Sequence, residues 1–161
     1  MHRPDLEIVG TLYPLQGEDT SYNDIIRGEI SAEEAYHQVL SGYEFLKGKD
    51  KLQEFLKDHH DASVFWKQEA RKDYEKPIDS TGVWGVVVES FVGASKMLGL
   101  ESALDVIKKG EELGLKNYKK ILEGDELKPH QKDKVRDVLI PKQMKHIEYL
   151  NGMIKQSHRK I

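Results

Sequence analysis

Apolar residues recur at helical spacing in five stretches of this chain, and only Ile8–Tyr13 hints at a short extended piece. Over residues 22–47, Tyr22, Ile25, Ile26, Tyr36, Val39, Leu40 and Tyr43 share one helix face. Glu29 and Glu33 fall within that arc, and Glu34 points away from it. Ser31 with Glu34 offers an alternative, later start after Gly28, as a capping box. Gly48 breaks the chain, and Asp50 with Gln53 reads as the next helix start. Leu52, Phe55, Leu56, His59, Ala62, Ser63, Trp66 and Ala70 then form a stripe, with His59 at its centre and Asp61 and Phe65 outward. Pro77 closes this segment.

A third helix is expected from Ser80 or Thr81 to about Leu98. It is rich in small residues and apolar on most sides, which suits a segment packed between others. After Gly99, Leu104, Ile107, Leu115, Tyr118 and Leu122 mark a fourth helix over residues 101–123. Glu111 sits near its middle, between Gly110 and Gly114. Glycine inside a helix costs roughly 1 kcal/mol against alanine, so this pair suggests a close approach. Pro129 suits the first position of a last helix running to about Gln156. Its stripe is Val135, Leu139, Gln143, His146, Leu150 and Met153. Pro141 lies inside it, so a kink or break is expected there. Residues 1–20, with Pro4, Gly10, Pro14 and Gly17, read as an N-terminal arm before one bundle domain over 21–161.

Each core-facing stripe thus carries a polar, metal-competent side chain: Glu33, His59, Glu111, and the pair Gln143 and His146. A buried carboxylate or imidazole is costly unless it is paired, hydrogen-bonded or bound to a metal. Helical bundles build metal sites in their cores from such residues, with Glu-x-x-His placing two ligands on one face. Gln143-x-x-His146 has that spacing with a neutral amide in the first place. The alternative is that Glu111 and His146 pair without a metal, and that His59 bonds a Tyr or Glu.

Composition narrows the classes. The net charge is -3 and aromatics are not interleaved with Lys or Arg, which gives no footprint for nucleic acid. The chain holds 0 cysteines, so disulfides and thiolate sites are excluded. Val83–Leu98, the most apolar run, is interrupted by Glu89, Ser90 and Lys96, and no membrane span or secretory leader is expected. A cytoplasmic location follows as the default. No Walker loop, G-x-S-x-G, G-x-G-x-x-G or H-E-x-x-H occurs, which lowers hydrolase and nucleotide-binding readings.

Residues 22–36, YNDIIRGEISAEEAY, resemble the opening of a ferritin-like, rubrerythrin-related family of uncharacterised bacterial proteins. Asn23, Ile25, Ile26, Glu33 and Tyr36 carry that likeness. Thr81-Gly82 and Trp84 resemble the start of the family's middle helix, and Gly110-Glu111-Glu112 with Tyr118 are similar to its Gly-Glu-Asp…Tyr helix. The resemblance implies an all-α, ferritin-like four-helix bundle, up-down-down-up, with an additional crossover helix filling Ser80–Leu98. It also implies metal positions at Glu33, Glu111, Gln143 and His146, with iron or manganese as the cofactor, and a bacterial stress-related role. On the second helix the matching positions are Asp61 and Val64, and Val64 cannot ligate. A homodimer is expected. The competing expectation is a metal-free helical scaffold that acts by self-association or partner binding, through outward Val64 and Phe65 and the apolar third helix.

Overall fold

A computed structural model describes residues 21–79 and 98–159, and within them every regular element is helical. The chain divides into two compact units, with residues 21–79 in the first and 98–159 in the second. The expected N-terminal arm and the small-residue helix over Ser80–Leu98 fall almost wholly outside the described residues.

The first unit is a helical hairpin of α1 (Ser21–Gly42) and α2 (Lys49–Lys72). α1 begins at Ser21 and runs through Gly28, so Ser31 is an interior residue and not a cap. It stops at Gly42, several residues before the expected end. Hydrogen bonds from the Leu46 N–H to the Tyr43 carbonyl (3.3 Å) and from the Lys49 N–H to the Leu46 carbonyl (3.2 Å) carry the turn. Gly48, at φ 90°, supplies the left-handed residue that directs the chain into α2. Ile26, Tyr36, Val39, Leu52, Phe55 and Trp66 are fully buried and form the unit's core. Aromatic rings link the two helices. Tyr22 meets Trp66 at 6.3 Å, and Tyr36 meets Phe55 edge-on at 6.1 Å. The Tyr22 hydroxyl donates to Asp73, and Asn23 Oδ1 accepts from the Ile78 N–H at 3.1 Å, pinning the segment after α2 back onto α1. α2 ends at Lys72, before Pro77, because Tyr74 adopts φ 61° and the Glu75 N–H bonds the Ala70 carbonyl at 2.9 Å.

The second unit contains α3 (Leu100–Glu123), α4 (Pro129–Lys134), a π-helical turn (Val135–Leu139) and α5 (Ile140–Arg159). α3 and α5 run antiparallel. His158 bonds Glu101 at 2.9 Å near one end, and His146 bonds Glu111 at 3.0 Å further along. Pro129 opens α4, and Gln131 Oε1 caps it by accepting from the Lys128 N–H at 2.9 Å. The disturbance expected at Pro141 takes the form of the π turn. Pro141 has no N–H to donate, and its ring would press on the carbonyl four residues back. The Ile140 N–H instead reaches back five residues to the Val135 carbonyl, and the helix continues across the proline. Ala103, Leu104, Ile107, Tyr118, Val135, Leu139 and Leu150 fill this core.

Candidate metal centre

In the first unit, His59 lies on the α2 stripe and is 3% exposed. Its Nδ1 is 2.7 Å from Glu29 Oε2, and Glu29 is also buried. The Tyr36 ring stacks on the imidazole at 5.6 Å with planes 27° apart, which locks the ring's orientation. The stripe had offered both Glu29 and Glu33, and Glu33 was expected to be the ligand. Glu33 instead bonds His60 at 3.0 Å, where His60 is exposed and Glu33 partly so. The register explains this. Because α1 ends at Gly42, the hairpin closes earlier than a turn at Gly48–Lys49 would allow. Glu29 is thereby brought level with His59, which a later turn would have placed far along the axis. Asp61 points outward as expected and pairs with Lys57 at 2.8 Å. Sequence reasoning passed over Glu69, a buried carboxylate that Lys72 reaches at 2.8 Å from the surface.

In the second unit, Glu111 and His146 are both buried, with Oε1 and Nδ1 3.0 Å apart. Each lies on the stripe that the sequence assigned it. Gln143 lies one turn before His146 on the same face of α5, and Gly114 lies one turn after Glu111 on α3. A Cβ on Gly114 would come within 2.4 Å of Gln143 Nε2. The missing side chain is what admits the amide, so the close approach expected of the glycine pair occurs at Gly114. Nothing lies within 4 Å of a Cβ placed on Gly110. Gln143 is 5% exposed, and its Oε1 has no hydrogen-bond partner among the described residues.

The two buried histidines share one chemical arrangement. Each places Nδ1 within hydrogen-bond reach of a buried carboxylate. In the second unit, Glu111 and His146 are buried side chains able to hold a metal ion. Imidazole and carboxylate donors suit first-row transition metals.

No protein-family model, curated protein or solved structure matches this chain. The site must therefore be read from its own chemistry. Among the described residues, no helix is long and apolar enough to cross a membrane.

Proposed function

We propose that this chain is a metal-binding helical protein whose second unit holds a divalent transition-metal ion through the Glu111 carboxylate and the His146 imidazole. The observation that carries the reading is the buried Glu111–His146 pair, whose Oε1 and Nδ1 lie 3.0 Å apart, close enough to share one ion. Such a pair alone is an ordinary way to satisfy a core histidine. The unsatisfied Gln143 amide one turn away is what a bound ligand explains. Glu29 and His59 form a separate pair in the first unit, and Glu33, hydrogen-bonded to exposed His60, is left out of the set. Imidazole with carboxylate suits Fe(II), and manganese is the weakest competitor in the divalent series. Iron is thus favoured over manganese. A bound iron supplies one-electron chemistry toward dioxygen or peroxide. The ferritin-like bundle, the stress-related role and the dimer implied by the resemblance belong to this same reading.

The test is elemental analysis of protein purified without added metal or chelator, repeated after anaerobic incubation with Fe(II). One metal per chain, absent from His146→Leu, is expected. A clean absence after loading overturns the reading. A second reading rests on the same hydrogen bonds: each imidazole already has a partner, so the pairs can satisfy a metal-free scaffold that acts by self-association. Sedimentation at micromolar concentration then becomes the informative measurement.

A further inference from the structure

Gln143 has a role that neither the core nor the Glu111–His146 pair explains. Its side chain is 95% buried by the complement of its 5% exposure, and its Oε1 accepts from no described group. An unsatisfied buried acceptor costs roughly 1–3 kcal/mol, and an apolar residue of similar shape would avoid that cost. The amide is also provided with room, since any side chain on Gly114 would collide with it. It lies one helical turn before His146 on α5, against Gly114, which lies one turn after Glu111 on α3. A buried acceptor beside this pair needs a donor that the described residues do not supply.

We propose that Gln143 is a positioning residue for a solvent molecule on the metal, so that the centre keeps an exchangeable coordination position and is not a closed structural site. This rests on the metal-binding reading above. Reactive centres keep a solvent position open, whereas structural sites are filled by protein donors. The Gln143 carbonyl oxygen accepts a hydrogen bond from the solvent, which removes the unsatisfied acceptor and holds that ligand in place. The proposal gives the neutral amide a reason to stand where a carboxylate would ligate directly: glutamate there would compete for the open position.

Cobalt(II) loading tests this, because visible absorption strengthens as coordination number falls. Wild type, Gln143→Leu and Gly114→Ala are each loaded with Co(II) alone, and stoichiometry and spectrum are read together. Gly114→Ala keeps the amide but displaces its end, which is the flexible tip of a side chain, so the fold tolerates it. The expected result is unchanged cobalt stoichiometry in all three, with a stronger and shifted band in both variants as solvent is lost. Gln143→Glu is expected to bind cobalt more tightly and to lose the solvent signature. Identical spectra for wild type and both variants, with cobalt bound, overturn the role of Gln143 while leaving the metal site standing. Failure of wild type to bind cobalt overturns both.

Discussion

The two units build the same carboxylate–histidine pair in different surroundings. In the first, Glu29 and His59 are clamped by Tyr36, whose ring stacks on the imidazole and meets Phe55 edge-on. In the second, Glu111 and His146 have a glycine and an unsatisfied amide one turn away, just beyond a π turn. The first pair is packed for rigidity, and the second is flanked by room. π turns inside α-helices occur frequently at functional sites, and here the turn shifts the register of the residues that follow it.

Removing each pair's carboxylate is the strongest way to break this comparison. Glu111→Ala is expected to abolish metal binding and, by stranding a buried partner, to cost about 3–5 kcal/mol in urea denaturation. Glu29→Ala is expected to leave metal content unchanged and to cost stability by stranding buried His59. Equal loss of metal from both variants would erase the distinction between the pairs. The exposed pair between Glu33 and His60 provides the control. Glu33→Gln is expected to change stability by less than about 1 kcal/mol and to leave metal content unchanged.

A milder comparison sets the two glycines of α3 against each other. Gly110→Ala meets open space and is expected to gain about 1 kcal/mol from helix propensity. Gly114→Ala gains the same propensity but must displace Gln143, so its net gain in thermal stability should be smaller. Equal gains would mean that the Gln143 seat carries no energy.

The smallest effect lies on the surface beside the π turn. Arg136 hydrogen-bonds Asp137 and holds its carboxyl below the usual carboxylate range. A lowered folded pKa contributes stability above the unfolded value, and that contribution disappears as pH falls through the folded value. Asp137→Asn is therefore expected to lower stability slightly at neutral pH, to leave it almost unaffected once pH has fallen below the folded pKa, and so to flatten the acid side of the profile. A steeper acid loss in the variant would contradict this sign.

The helices of the described residues and many of the inward polar positions were legible in the sequence, whereas buried Glu69 and Gln131 were not. The stripes put His59, Glu111, Gln143 and His146 in the core, and each is buried. Gly114 was legible as a close approach because glycine in a helix interior needs a reason. Pro141 announced a disturbance but not its form, since a kink, a break and a π turn all answer the same missing N–H.

Periodicity assigns a residue to a face, and a face follows from local geometry that the sequence carries by itself. Partnership depends on how far one helix slides along another. Glu29 and Glu33 are four residues apart on one face, so the stripe could not separate them. The stop at Gly42 and the turn through Gly48 set the register that gives His59 to Glu29 and His60 to Glu33. Long-range packing of Tyr22 and Tyr36 against α2 holds that register in place. The sequence alone assigned His59, Glu111, Gln143 and His146 to buried faces. The tertiary structure decided which buried groups would meet, because a shift of about one helical turn moves a side chain by about 5.4 Å, more than a hydrogen bond can span.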